Sequence, residues 1–160
     1  MFVDLFGGSG LLSHITKCQK PNATVVYNDF DNYRQQLAHI SQTNELLAAI
    51  REILKDVPRG KMVAGGERQL VIDAIKRHEK CYGYVDYITL SSSIMFSMKY
   101  CTNIDDLEKQ GIYNRVRRGD FATCDGYLDD LTVVSVDYKQ LVEQYKDAPN
   151  VVFIIDPPYL

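Results

Sequence analysis

The first 27 residues constrain the fold most, because strand and helix patterns alternate there around a glycine-rich turn. Residues 1–6 (MFVDLF) form a short apolar run, the sequence GGSG follows at once, and residues 11–17 have a helical pattern. After a turn at Pro21, residues 23–27 (ATVVY) are rich in β-branched side chains, which favour strands. This β-α-β unit predicts a parallel sheet with a right-handed crossover.

The strand pattern returns near the end of the chain. Residues 131–136 (LTVVSV) and 151–155 (VVFII) predict a third and a fourth strand, separated by a helix over 137–145. Continuous apolar runs of this kind are typical of buried parallel strands. The sequence therefore predicts an α/β fold with a four-stranded parallel sheet.

The region between the second and third strands leaves this alternation. Apolar residues at helical spacing predict one helix over 33–41 and another that follows Thr43. Further helices are predicted over 67–80 and 84–100. We therefore expect a mainly helical insertion to interrupt the sheet.

Composition excludes several classes of protein. With 46% hydrophobic and 24% charged residues, the chain resembles an ordinary globular protein, and no apolar run is long enough to cross a bilayer. The net charge of −3 means that any nucleic-acid-binding surface must be local. Four scattered cysteines without a C-x-x-C pair predict no metal or redox site, and favour free thiols in the cytoplasm.

The sequence DPPY follows directly after the fourth predicted strand. Asp156 provides a carboxylate, and the prolines lack backbone N–H groups, so they present only carbonyl acceptors. Tyr159 adds a flat ring. Because ligands bind at the carboxyl ends of strands in open α/β sheets, this group suits a planar substrate with an exocyclic amine. The alternative is a strand that simply ends in a proline turn.

Acidic residues also mark the ends of the other three predicted strands. Asp4 lies within the first strand, where it could accept a hydrogen bond from a ligand amine. Asp29 follows the second strand, where an acidic residue binds ribose hydroxyls in nucleotide-binding folds. Asp137 and Tyr138 follow the third strand and could hold an adenine ring. Turn or helix-cap roles explain these residues as an alternative.

The motifs DLFGGSG, NDFD and DPPY, in this order, resemble those of the Dam-like DNA adenine-N6 methyltransferases. The resemblance implies a Rossmann-like S-adenosylmethionine-dependent methyltransferase fold with an incomplete sheet. It implies a catalytic domain over 1–59 and 120–160, and a target-recognition insertion over 60–119. Double-stranded DNA would be the substrate, and methyl transfer to adenine N6 would be the reaction.

The resemblance also assigns site residues. Those implied at the cofactor are Asp4, Phe6, Gly7, Gly8, Ser9, Gly10, Asp29, Phe30, Asp137 and Tyr138. Those implied at the reacting amine are Asp156, Pro157, Pro158 and Tyr159. The carboxylate and the Pro157 carbonyl would accept the amine hydrogens, and Tyr159 would stack on a base that is flipped out of the duplex. No metal ion is required.

The segment GIYNRVRRGDF is loosely similar to the end of the family's target-recognition region. Within it, the residues expected to contact DNA are Asn114, Arg115, Arg117 and Arg118. Arginines at phosphates supply affinity that does not depend on sequence. A cluster of solvated loop charges is the alternative interpretation.

This sequence differs from the pattern of the family at both ends of the chain. Family members begin with a segment that closes over the cofactor, and they continue beyond DPPY with more strands. We therefore expect a fragment or a truncated product of weak or no activity, whose strand 151–155 could pair with a second copy. The alternatives are a methyltransferase for RNA or protein glutamine, and a non-catalytic module that binds S-adenosylmethionine or DNA.

Overall fold

A computed structural model of the chain describes residues 1–96 and 99–157. The strands are β1 (Phe2–Asp4), β2 (Val25–Asn28), β3 (Met62–Val63), β4 (Ile112–Tyr113), β5 (Thr132–Val134) and β6 (Val152–Ile154). The helices are α1 (Leu11–Gln19), α2 (Tyr33–Ala38), α3 (Ile40–Ile53), α4 (Gly65–Tyr82), α5 (Tyr87–Ile94), α6 (Ile104–Glu108) and α7 (Tyr138–Tyr145).

The main sheet has four strands in the order β5-β2-β1-β6, and all three pairings are parallel. In the register of the sheet, Val3 of β1 lies beside Val26 of β2 on one side and beside Phe153 of β6 on the other. Helices flank this sheet in a Rossmann-like α/β arrangement, so the predicted fold class is confirmed. The chain runs from β1 through β2 to β5 on one side of β1 and then crosses to β6 on the other side. The change of direction therefore falls between β1 and β6, where ligands bind in such sheets.

The chain divides into two compact units. The sheet unit comprises residues 1–38 and 124–160, and the helical unit comprises residues 39–123. The predicted division of the catalytic domain and the target-recognition insertion, at 59/60 and 119/120, stays a prediction.

Each unit has its own apolar core. In the sheet unit, Val3, Leu5, Val26 and Leu141 are buried, so α7 covers the sheet through Leu141. In the helical unit, α3 and α4 both contribute to the core, with Leu47, Ile50, Val71 and Ile75 fully buried. These four side chains recur at three- and four-residue spacing, which places them on one face of each helix.

The helix predicted over 84–100 is wrong at its C-terminal end, because the described residues after Ile94 (95–96 and 99–100) are not helical. Helix α5 begins at Tyr87, where the Asp86 carboxylate accepts the Thr89 backbone N–H, and it ends before an extended Met95. The hydroxyls of Ser92 and Ser93 both donate to the Thr89 carbonyl. Serine hydroxyls that compete for backbone groups in this way weaken a helix.

Other differences are small. Helix α2 ends at Ala38 rather than residue 41, and α3 begins at Ile40, before Thr43. The two-residue strands β3 and β4, which pair antiparallel, were not predicted. Strand β6 has β1 as its neighbour among the described strands, and pairing of its other side with a second copy stays a prediction. In the described part of the chain, no helix is long and apolar enough to cross a membrane.

The buried Asn28 side chain ties three parts of the sheet unit together. Its amide nitrogen donates to the Leu5 carbonyl at 3.0 Å and to the Val136 carbonyl at 2.9 Å. Its amide oxygen accepts the Val136 backbone N–H at 3.0 Å. The chain segments that leave β1 and β5 are thereby held at the end of β2.

We expect Asn28→Ala to lower the free energy of unfolding by roughly 2–4 kcal/mol, because buried backbone groups lose their partners. Chemical denaturation followed by circular dichroism measures the change. Asn22→Ala, in an exposed turn, is the matched control and should have little effect. Equal stabilities for the two variants would contradict this role of Asn28.

Candidate functional site

A cavity of about 760 Å³ lies at the carboxyl ends of the four parallel strands. All of its lining residues belong to the sheet unit. They are Asp4, Leu5, Phe6, Gly7, Gly8, Ser9, Leu11, Leu12, Asn28, Phe30, Asp31, Val136, Asp137, Tyr138, Asp156 and Pro157. The structure therefore brings together most of the predicted cofactor residues with the start of the DPPY motif.

The glycine loop packs closely against Tyr27. A Cβ atom on Gly7 would lie 2.2 Å from the Tyr27 ring, and one on Gly10 would lie 2.5 Å from Leu128. Gly10 also has a φ of 74° and stands directly before α1. Only glycine meets these demands, so positions 7 and 10 have no room for a side chain.

The hydroxyl of Tyr27 reinforces this contact. It donates to the Gly8 carbonyl at 2.7 Å, and the Asp29 carboxylate lies 3.1 Å away. Burial, followed by the negative charge of Asp29, raises the pKa of Tyr27 far above its usual value. The phenol therefore keeps its proton and acts as a donor at every physiological pH.

Asp4 is a buried carboxylate with one unused oxygen. Ser13 donates its hydroxyl to one oxygen of Asp4 at 2.7 Å, whereas Oδ1 has no hydrogen-bond partner among the described residues. Burial raises the pKa of Asp4, the Ser13 hydroxyl and the nearby Phe6 amide lower it, and Asp156 raises it further. A buried acceptor without a donor is costly, so this oxygen marks a place for a ligand N–H or O–H group.

Asp156 and Pro157 follow β6 and face the same cavity as Asp4. The negative charge of Asp156 repels that of the Asp4 carboxylate and so raises the pKa of Asp4. Pro158 and Tyr159 lie outside the described residues, so their predicted roles stay predictions.

Aromatic side chains form part of the cavity wall. The rings of Phe6 and Tyr138 are 4.9 Å apart. Phe30 lines the cavity with 63% of its surface exposed. These rings could contact the face of a planar ligand.

Asp29 is used within the fold and does not line the cavity. Its two oxygens accept the backbone N–H groups of Tyr33 at 2.6 Å and Arg34 at 3.1 Å, at the beginning of α2. The structure thus shows the cap role that was the alternative for this residue. Its predicted contact with ribose stays a prediction, and the neighbouring Phe30 and Asp31 reach the cavity instead.

Asp137 combines both interpretations. Its carboxylate accepts the Lys139 backbone N–H at 2.8 Å as the cap of α7. It also lines the cavity beside Tyr138. A helix cap at a strand end is therefore compatible with a place in the site.

The predicted DNA-binding residues lie in the helical unit and face different neighbours. Asn114 donates to the carbonyls of Leu54 at 3.1 Å and Val57 at 2.5 Å, so its amide holds the end of α3. The guanidinium of Arg115 lies 5.6 Å from the Phe96 ring centre, and that of Arg117 lies 4.4 Å from the Phe121 ring centre. Arg118 is exposed and has no hydrogen bond or ion pair to any described residue.

Sequence reasoning missed some cavity residues, chiefly Leu11, Leu12, Asn28, Asp31 and Val136. Leu11 and Leu12 begin α1 directly after the glycine loop, and this position is the available signal for a role in the cavity. Asn28 and Asp31 belong to the NDFD motif, in which turn or cap roles explain them equally well from sequence. Among the described side chains, no group of three or more His, Cys, Asp or Glu is placed to hold a metal ion.

No protein-family model matches the chain, and no solved structure matches it. The chain is 38% identical over 159 residues to a protein of Haemophilus influenzae named "Putative methyltransferase". The match covers 99% of this chain and 53% of that protein, so the chain spans about half the length of the curated relative that it matches. Both the cavity and the helical unit fall within the aligned part.

We expect Gly7→Ala to lower the melting temperature by about 5 °C or more, since the Tyr27 ring or the loop must move. Gly66→Ala is the matched control, because a Cβ there meets nothing within 4 Å. Differential scanning fluorimetry measures both. A Gly7→Ala protein as stable as the control would show that the loop tolerates a side chain.

The raised pKa of Asp4 predicts that the protein becomes less stable as pH rises. A carboxyl with a raised pKa in the folded state binds its proton more tightly there, so stability falls as pH rises through the usual and then the raised pKa. We expect Asp4→Asn to remove this decline above pH 4 and to be at least as stable as the wild type at pH 7. Urea denaturation between pH 4 and 7 measures it, and an unchanged profile would contradict the assignment.

Proposed function

We propose that this chain carries the cofactor site of an S-adenosylmethionine-dependent methyltransferase that acts on the exocyclic amine of adenine in double-stranded DNA. The observation that carries the proposal is one cavity at the strand ends that contains both Asp4, with its unpartnered oxygen, and Asp156. The similarity of the chain to the Haemophilus influenzae protein supports a methyltransferase family. Because the chain spans about half of that protein, the activity of the whole protein is part of the proposal.

The cavity residues fit S-adenosylmethionine. The unpartnered Oδ1 of Asp4 would accept a hydrogen bond from the cationic amino group, in a charge-assisted contact. The glycine loop, which lacks side chains at positions 7, 8 and 10, lets a ligand approach the backbone and the N-terminus of α1. Phe30 and Tyr138 would contact the adenine ring.

When bound, the cofactor supplies an electrophilic methyl group on a positively charged sulfur. The protein must then make the target nitrogen more nucleophilic, because its lone pair is delocalised into the ring. Asp156 and the Pro157 carbonyl provide two acceptors for the amine hydrogens, which favours tetrahedral geometry and stabilises the developing positive charge. Asp156, or solvent that reaches the cavity, would take up the proton that the amine loses on methyl transfer.

We propose duplex DNA as the substrate because the first residue of the motif is an aspartate, Asp156. An aspartate at this position favours adenine in DNA over the related glutamine and RNA substrates. The basic segment at 115–118 adds a candidate contact for phosphates. RNA and protein glutamine are separate arms of the assay below.

We expect the wild-type chain to bind S-adenosylmethionine in calorimetry and to transfer tritiated methyl groups to unmethylated duplex DNA at a low but measurable rate, in line with the weak activity expected from the sequence. Asp156→Asn should lower the transfer rate by about a hundredfold or more, with binding of S-adenosylmethionine nearly unchanged, because its contact is made with the amine. Asp147→Asn, an exposed change of the same type, is the control.

The outcomes separate the candidates. Transfer to RNA or to a glutamine-containing protein, but not to DNA, would replace the substrate and keep the reaction. Binding of S-adenosylmethionine without transfer to any substrate would identify a non-catalytic module. Absence of binding would refute the cofactor site itself.

A further inference from the structure

The positive charge of this acidic chain is concentrated in two short segments. Residues 51–61 and 115–118 together contain seven of the chain's 18 basic residues and two of its 21 acidic residues. The rest of the chain therefore has 11 basic and 19 acidic residues. A polyanion would be repelled by most of the surface and attracted where these segments lie.

The structure brings the two segments together although more than 50 residues separate them. The Gly60 backbone N–H donates to the Asn114 carbonyl at 2.7 Å, and the Asn114 N–H donates to the Lys61 carbonyl at 2.9 Å. Between them lies an open cleft of about 420 Å³ in the helical unit. We call it the basic cleft, and its charged lining residues are Arg51, Lys55, Asp56, Arg59 and Arg118.

Two of these arginines, Arg51 and Arg59, are held in place by hydrogen bonds to backbone carbonyls of residues 115–117. Arg59 donates to the Val116 carbonyl at 2.7 Å and to the Arg115 carbonyl at 3.4 Å. Arg51 donates to the Arg117 carbonyl at 3.1 Å and pairs with Asp120 at 2.6 Å. A guanidinium has five N–H donors, so each arginine keeps donors for an anion while its orientation is fixed.

The other two cations of the cleft are available at low cost. Lys55 pairs only with the exposed Glu52, at 2.6 Å, and exposed pairs of this kind contribute little. Arg118 has no hydrogen bond or ion pair to any residue that the structure describes. In this segment, Asn114, Val116 and Arg118 line the cleft, whereas Arg115 and Arg117 do not.

From this arrangement we propose that the basic cleft binds the phosphodiester backbone of a nucleic acid. Four cations and one carboxylate line an open surface, which suits successive phosphates of an extended polyanion. Leu54 and Val116 form an apolar floor that would support the long side chains. The inference rests on the proposed function, names the part of the chain that would hold that substrate, and adds Arg51, Lys55 and Arg59 to the basic residues expected from the sequence.

The test uses the full chain and a double variant, Lys55→Gln with Arg118→Gln. Among the described residues, the polar groups of these two side chains make one exposed ion pair, that of Lys55 with Glu52, so the fold should be retained. The matched control is Lys80→Gln with Lys109→Gln, which removes the same charge from exposed positions of the helical unit outside the cleft. Circular dichroism and calorimetry with S-adenosylmethionine check that fold and cofactor binding are unchanged.

Affinity for a short unmodified DNA duplex is measured over a salt series. We expect the cleft variant to bind about tenfold or more weakly and to lower the slope of log K against log salt by about 2, one for each lost phosphate contact. The control should keep the wild-type slope. Equal slopes in all three proteins, or an equal loss in the control, would overturn the proposal.

Further arms identify the anion. If single-stranded RNA, rather than duplex DNA, shows the slope that depends on the cleft, the phosphodiester site stands and DNA falls as the substrate. If polyglutamate binds with the same dependence on the cleft, or if no nucleic acid binds at low salt, the proposal fails. Because binding of S-adenosylmethionine is measured separately, failure of the cleft is distinguished from failure of the cofactor site.

Discussion

The close contact between the Tyr27 ring and the glycine loop is the constraint on which the candidate site depends. The ring occupies the space that a side chain on Gly7 would need, and its hydroxyl holds the Gly8 carbonyl. The loop is therefore pressed against the second strand, and its remaining surface is free to form the cavity floor. Asn28, the next residue, adds hydrogen bonds that fix the segments following β1 and β5. Two adjacent residues of β2 thus organise the cavity without any contribution from the helical unit.

The parallel sheet could be predicted from the sequence because its signals are local and agree with each other. Apolar runs such as residues 151–155 and the glycine turn each predict an element of the same fold. The ends of helices were harder. Serine side chains near Thr89 shorten α5, and no periodic pattern of apolar residues reports such a competition.

The candidate site was predictable in part, for a related reason. Strand ends are visible in sequence, and most acidic residues found there do reach the cavity. Which oxygen is used inside the fold depends on contacts that sequence does not show, as Asp29 and Asp4 illustrate. The first gives its oxygens to backbone N–H groups of α2, whereas the second keeps one oxygen unpaired. The basic cleft was not predictable, because it needs Gly60 to lie beside Asn114, a contact between distant segments.

The unpaired oxygen of Asp4 also bears on how the sheet unit responds to occupancy. A ligand that supplies a donor gives this buried acceptor a hydrogen bond. Because such a ligand binds the folded chain, occupancy should raise the free energy of unfolding of the sheet unit. Selection for a sturdier empty protein would act against this carboxylate, and selection for ligand capture would preserve it.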